Sequence, residues 1–366
     1  KTTLATTIGK NHYAATAYLN WDSPDHRKII LSGNFDPQAK LLIFDELHKY
    51  RAWKRDLKGL YDTHHDQFAI LVTGSARFDL YRKGGDSLMG RYHSWRLHPF
   101  TLAEMAGRTP SGTLVPFKEL PFARTAQSSD RTLFESLRVF GGFPEPFFAQ
   151  EIKTLRRWQT ARLDRMIKED IRDIESVRDL SALQVLVELL PQKVGALLSL
   201  NALREDLLVA HKTVALWVDI LERFYYHFRV YPFAATLVKS LRRQSKLYLW
   251  DWSQIEKEGA RFENIIASHL LKLVHFLYDG EGYKAELFYL RDIEGREVDF
   301  LVTVDKKPWF AVEVKQSDTD LHTPLRYFGE RLKIPFLYQV VEAPGIDFLK
   351  EKVRVISAEK FLGGLV

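Results

Sequence analysis

The run Leu41-Leu42-Ile43-Phe44-Asp45-Glu46 limits the fold more than any other stretch of the chain. Alternate side chains of a strand point to opposite sides, so four consecutive apolar residues cannot lie on a sheet with one wet face. Such a run has to be covered on both faces, as helices packed over a parallel sheet would do. ATAYLNWD at 15–22, FAILVTGSA at 68–76 and YHSWRLHPF at 92–100 repeat the pattern, separated by stretches of helical periodicity. An α/β domain over 1–110 is the expectation.

The rest of the chain changes character three times. With 366 residues it exceeds one compact core, at roughly 100–200 residues per domain. Residues 107–130, GRTPSGTLVPFKELPFARTAQSSD, are rich in turn formers and read as a linker. Helical patterns follow to 182, interrupted by GGFPEP at 141–146, where glycines and prolines forbid continuation. Residues 183–255 suggest short helices and then a two-stranded basic hairpin around SLRRQSKLYLW, and 256–366 an amphipathic helix followed by alternating strands. The expected division is 1–110, 111–182, 183–255 and 256–366, with no internal repeat.

Composition narrows the function classes. Hydrophobic residues at 46% and charged residues at 27% are the balance of a folded globular protein. No run approaches the ~18 apolar residues of a membrane span, and KTTLATTIGK lacks the apolar block of a signal peptide. No membrane partner and a cytoplasmic location are expected. The absence of cysteine excludes disulfides, thiolate metal sites and cysteine nucleophiles. A net charge of +6 and a pI near 9.2 permit a polyanion such as DNA as partner.

Lys1-Thr2 opening a helix, with LLIFDE at 41–46 ending a buried strand, is the relationship between the two halves of a P-loop ATPase. In such a site the lysine meets the β and γ phosphates of ATP, the hydroxyl ligates Mg²⁺, and the strand-end aspartate holds the same ion's shell. Those roles fall to Lys1, Thr2 and Asp45, with Glu46 polarising the attacking water. The glycine loop that would cradle the phosphates stands ahead of the lysine in such motifs, and the chain begins at Lys1. Thr73-Gly74-Ser75 follows the next apolar strand, where Ser75 or Thr73 would sense the γ phosphate or simply cap a helix. Arg91 is a candidate arginine finger, acting within the chain or across a homo-oligomer boundary.

Two further constellations stand downstream. In NALREDLLVAHKTVALWVDILERFYY a helix-turn-helix would present Thr213 to a phosphate or groove, with Arg242, Arg243 and Lys246 on a wing and Asp219 and Glu222 disfavouring close DNA contact. A junction with another domain or a protein partner would use the same packing. In EVDFLVTVDKKPWFAVEVK at 297–315, Glu313 and Lys315 are two apart and leave one face of a strand, while Asp299 approaches from the neighbouring strand. Glu263 on the preceding helix completes four groups that suit a divalent ion: Asp299 and Glu313 as ligands, Lys315 orienting water, and Glu263 in the outer shell or on a second metal. Charged residues also blunt edge strands without any catalytic role. The twelve histidines, His48 and the pair His64-His65 among them, lack the H-x-x-x-H spacing of a zinc site and read as core or surface residues.

LNWD at 19–22, LLIFDELHKYRAWKRDLKGLYD at 41–62, LVTGSARFDL at 71–80, LMGRYHSWRLHPFTLAE at 88–104 and GGFPEP at 141–146 resemble the prokaryotic AAA-like ATPases with a poorly characterised C-terminal domain. The resemblance covers nearly the whole chain. It implies a P-loop NTPase parallel-sheet core, a helical lid, a winged-helix segment and a restriction-endonuclease-like α/β domain. The family's Walker lysine and threonine match Lys1 and Thr2, its acidic pair Asp45 and Glu46, and its sensor residue Ser75 or Thr73. The Glu263, Asp299, Glu313-x-Lys315 set resembles the PD-(D/E)xK nuclease superfamily. The expected function is a Mg-ATP-hydrolysing ATPase with a DNA-directed, metal-dependent nuclease domain. The alternative is an ATP-regulated DNA- or protein-binding module whose nuclease-like domain does not cut, and a third option is a scaffold with structural nucleotide.

Overall fold

The structure, a computed structural model, describes residues 1–74, 88, 90–108, 114–122, 128–172, 177, 179–233, 244–317 and 320–366. It forms two compact units, one of Lys1–Leu97, Glu169–Val177 and Arg223–Tyr225, the other of His98–Lys168, Arg178–Glu222 and Tyr226–Val366. No described helix is long and apolar enough to cross a membrane.

The first unit is built on three parallel strands, β1 (Thr16–Asn20), β2 (Leu41–Asp45) and β3 (Ala69–Thr73), with β2 in the middle. Every residue of β2 is buried, as its unbroken apolar run requires. Leu42 and Phe44 pack with Leu19, Trp53 and Phe68 on one face. Leu41 and Ile43 pack with Ala5 of helix α1 (Thr2–His12) on the other. Burying each such side chain contributes about 1.5–3 kcal/mol relative to exposure. The crossovers run through α2 (Pro24–Ser32) and α3 (Trp53–His64). Ser23 accepts a hydrogen bond from the His26 N–H and Pro24 sits in the first turn, so α2 starts where local chemistry dictates. The register aligns Asn20, Asp45 and Thr73 side by side at the carboxyl ends of the strands. That edge is where open α/β sheets place their ligands.

The second unit combines helices, including Ser128–Phe140, Ile152–Arg165, Leu180–Leu189 and Leu200–Leu207, with an eight-stranded mixed sheet. Its strands are β4 (His227–Pro232), β5 (Lys246–Leu249), β6 (Ala285–Arg291), β7 (Glu297–Val304), β8 (Lys307–Lys315), β9 (Phe336–Val341), β10 (Asp347–Lys350) and β11 (Val353–Ser357). They lie in the order β10-β11-β9-β8-β7-β6-β4-β5. The long helix Glu258–Asp279 buries Phe262, Ile266, Leu270, Leu273 and Leu277, a spacing of three and four residues that forms one face.

The stretch expected as a basic wing, 240–250, supplies β5, which pairs antiparallel with β4 at one edge of this sheet. All four residues of β5 are buried, which a solvent-facing wing would not allow. The outer side of β5 is closed by the backbone of the 194–197 segment, which bridges to Leu247 and Lys246. It is closed further by Asn264, whose carboxamide accepts from the Leu249 N–H at 2.7 Å and donates to the Leu249 carbonyl at 2.8 Å. A side chain on a helix thus replaces a neighbouring strand and satisfies both backbone groups.

Candidate functional sites

The first site lies at the carboxyl edge of the three-stranded sheet. Asp45 ends β2 and accepts hydrogen bonds from three hydroxyls: Thr2 Oγ1 to Oδ2 at 2.6 Å, Tyr18 Oη to Oδ2 at 2.7 Å, and Thr73 Oγ1 to Oδ1. Burial works against the charged carboxylate, yet these donors outweigh it and hold its pKa below the ordinary value. Lys1 stands at the start of α1 and donates from Nζ to the Gly74 carbonyl at 2.5 Å. A helix N-terminus, an ammonium, a hydroxyl and an ionised carboxylate therefore share one strand edge. The oxygen donors Thr2 and Asp45 suit Mg²⁺, a hard cation, and the helix N-terminus suits phosphate.

Glu46 follows with φ at 54°, a left-handed conformation rare for a residue with a side chain and worth about 1–3 kcal/mol of strain. Burial, with Asp45 nearby, raises its pKa against the pull of Lys49 and Lys1. His48 Nε2 lies 3.5 Å from Glu46 Oε2. Burial lowers the His48 pKa to about 4, so the imidazole is neutral near pH 7. Thr73 of the expected sensor pair is at the site, whereas Ser75 lies outside the described residues. Arg91 pairs with Asp62, Nε to Oδ1 at 2.6 Å, on the surface of the first unit.

The second cluster belongs to the second unit. Glu263 comes from the long helix, Glu297 and Asp299 from β7, and Glu313 from β8. Lys246, at the start of β5, reaches Glu297 Oε1 at 2.7 Å, Asp299 Oδ1 at 3.3 Å and Glu263 Oε1 at 3.5 Å. The sequence places Lys246 on an exposed wing; the structure corrects this, leaving it 3% exposed. Its displacement from solvent follows from β5 being sandwiched between β4 and the 194–197 segment. Burial alone would favour loss of the lysine proton, but Glu263, Asp299 and Glu297 outweigh it and raise the pKa.

Asp299 shows the opposite balance. Burial and the charges of Glu263 and Glu313 push its pKa well above the ordinary value, against Lys246 and a hydrogen bond from the Val314 N–H at 2.9 Å. Glu263 is raised chiefly by burial, and Tyr248 Oη donates to its Oε1 at 2.7 Å. Glu313 is buried and turns its Oε1 to Lys315 Nζ at 2.8 Å and His322 Nδ1 at 3.1 Å. The three carboxylates expected to gather around an ion are thus split between two of the chain's own cations, Glu263 and Asp299 with Lys246 and Glu313 with Lys315. Among the described residues, no three His, Asp or Glu side chains are placed to hold a metal ion. As arranged, the cluster does not fit a divalent cation.

Sequence reasoning did not single out Lys246 as a site residue, nor Glu297, Tyr248 or Gly195. Glu297 and Asp299 are two apart in β7, so strand alternation would have put both on one face. Gly195 has φ at 75°, and a Cβ there would stand 3.0 Å from Glu263 Oε2, so backbone conformation and space both call for glycine. In the expected helix-turn-helix, Leu200–Leu207 and His211–Arg223 are helices. Asp219 and Glu222 pair with Arg229, whose Nη2 lies 2.8 Å from Asp219 Oδ1. Arg242 and Arg243 lie outside the described residues.

Comparison with known proteins divides the chain in three. Residues 131–255 match a domain of unknown function (DUF8612) and residues 258–361 another (DUF4143). Two uncharacterized proteins of Methanocaldococcus jannaschii are similar. MJ1637 is 26% identical over 229 residues, 58% of this chain and 47% of the relative. MJ1544 is 22% identical over 310 residues, 81% of this chain and 66% of the relative. The chain thus spans 47% and 66% of the length of these two relatives. No solved structure matches it. Residues 1–106, which carry the Lys1, Thr2, Asp45 and Glu46 site, match the AAA domain family.

Proposed function

We propose that the chain binds and hydrolyses Mg-ATP at the carboxyl edge of its three-stranded sheet. The observation that carries this is the 2.6 Å bond between Thr2 Oγ1 and Asp45 Oδ2, which joins two segments far apart in sequence at the N-terminus of α1. Lys1 would meet the β and γ phosphate oxygens, and Thr2 and Asp45 would hold Mg²⁺, which when bound neutralises charge on the transferred phosphoryl group. Glu46, its pKa raised by burial, orients and polarises water; His48 beside it is neutral and adds no competing charge. Thr73 at the end of β3 touches Asp45 and couples the sensor position to the same carboxylate.

The test is phosphate release by the chain carrying a glycine-rich loop ahead of Lys1. Glu46→Gln is expected to retain ATP binding and lose hydrolysis by about 100-fold or more. Unchanged hydrolysis in both Glu46→Gln and Asp45→Asn would reject this site.

For the second unit the proposal is a DNA-directed module regulated by the nucleotide state of the first. Support comes from His211 and Lys212, exposed at the start of the helix that follows the turn. Between cleaving DNA and only binding DNA or protein, the position of Lys246 favours binding, because an ammonium stands among the carboxylates that cleavage would need for metal. Labelled single- and double-stranded DNA in Mg²⁺ or Mn²⁺, with and without ATP, decides between them. Cuts that vanish in Asp299→Ala would assign nuclease activity to Asp299, Glu313, Lys315 and Glu263. Intact DNA beside continuing ATP hydrolysis is the expected result.

A further inference from the structure

We infer that Lys246 is a tethered cation that fills the carboxylate cluster of the second unit, so that a divalent ion can enter only if its ammonium leaves. The inference rests on treating Glu263, Asp299 and Glu313 as the positions a metal site would use. Three observations support it independently of any titration. The ammonium meets three carboxylates contributed by a helix and by β7, at 2.7, 3.3 and 3.5 Å. It is held there by construction: Lys246 is the first residue of β5, pinned on one side by β4 and bridged on the other by Leu197. The surroundings are fitted around the contact, with Tyr248 two residues on donating to the same Glu263 oxygen and Gly195 leaving open the space beside the other, where a Cβ would stand 3.0 Å away.

The physical consequence is selectivity by charge already in place. Carboxylates brought together under cover repel one another and require a positive partner. A covalently attached ammonium supplies one at no cost in concentration, but it cannot offer the open coordination positions of a metal ion. The fourth carboxylate, Glu313, is engaged by Lys315 and His322, while its Oε2 has no hydrogen-bond partner among the described residues. Removing the Lys246 charge should therefore convert a filled cluster into one that recruits an ion.

The test is Mn²⁺ titration by calorimetry of the full chain without nucleotide, comparing wild type with Asp299→Asn, and Lys246→Met with Lys246→Met/Asp299→Asn. The wild type is expected to show no Mn²⁺ site that depends on Asp299. Lys246→Met should gain one such site, at least tenfold tighter than any in the wild type, and the double variant should lose it. An Asp299-dependent site in the wild type, or none in folded Lys246→Met, would overturn the inference. If Lys246→Met does not fold, the wild-type and Asp299→Asn pair decides alone, since an Asp299-dependent site there refutes an occupied cluster and its absence upholds one. DNA cleavage is read separately. A Lys246→Met chain that binds Mn²⁺ without cutting would end the nuclease reading and leave the tethered cation standing.

Discussion

Asp45 and Asp299 are both covered carboxylates on strands, and the protein treats them in opposite ways. Asp45 receives three neutral hydroxyl donors, which stabilise its charge without cancelling it. Asp299 shares its surroundings with Glu263 and Glu313, and its positive partner is the chain's own lysine. Burial opposes the charge on both carboxylates, and the donors and charges around each set which way the balance falls. Hydroxyls leave a negative charge for an incoming cation, whereas an ammonium consumes it.

The largest expected effect comes from removing the ammonium. Lys246→Met should destabilise the second unit by about 3–5 kcal/mol at pH 7, the usual consequence of stripping one partner from a buried charge cluster. The loss should shrink as pH falls, because Asp299 and Glu263, both with raised pKa values, then take up protons. Calorimetric unfolding of the full chain checks both statements, and a cost below about 1 kcal/mol at pH 7 would place Lys246 with ordinary surface pairs.

Next comes Asn264→Ala, which strips the Leu249 N–H and carbonyl of their partner and should cost about 1–3 kcal/mol. A loss confined to the first unit would contradict the role of Asn264 in holding β5 and Lys246 in place.

The pH dependence sharpens the contrast further. Because Asp45 has a folded pKa below its unfolded value, its contribution is complete above about 3.8 and is lost as pH falls through the folded pKa. The stability gap between wild type and Asp45→Asn should close only in acid. For Asp299 the folded pKa is raised, so ionisation penalises the folded state as pH rises from 3.8 through that value. Wild type should therefore lose ground to Asp299→Asn as pH increases. Parallel slopes for the two variants would mean that the two sites do not differ as described.

The smallest effect belongs to Arg91→Ala. Its pair with Asp62 is exposed, so unfolding should not move and hydrolysis should stay within about twofold. A fall of about a thousandfold, the scale of an arginine finger, would bring Arg91 to the phosphoryl group.

Much of the first unit was legible in the sequence because its signals are local. Unbroken apolar runs give β2 and β3, and Lys1-Thr2 with Asp45-Glu46 is a pairing whose spacing in space is implied by strand and helix alone. The second cluster was legible only in part. Asp299, Glu313 and Glu263 were found from strand alternation and the helix preceding them. Lys246 was misplaced because, within RRQSKLYLW, it reads as one more basic residue of a hairpin. Its burial is decided by partners distant in sequence, the 194–197 segment and Glu263 with its neighbour Asn264, and no local pattern records their arrival.

The carboxamide of Asn264 has one more effect, on how the molecule can associate. An edge strand ordinarily offers its backbone to another chain, and a long sheet with two open edges can propagate in both directions. At β5 the outward groups of Leu249 are taken by Asn264, and the Leu247 carbonyl accepts from the Gly195 N–H at 3.1 Å. At the other margin β10 stands exposed, with Phe348 and Leu349 at 41% and 73%. The sheet is therefore closed at its β5 end, where the outward backbone groups of Leu247 and Leu249 are already taken from any added strand.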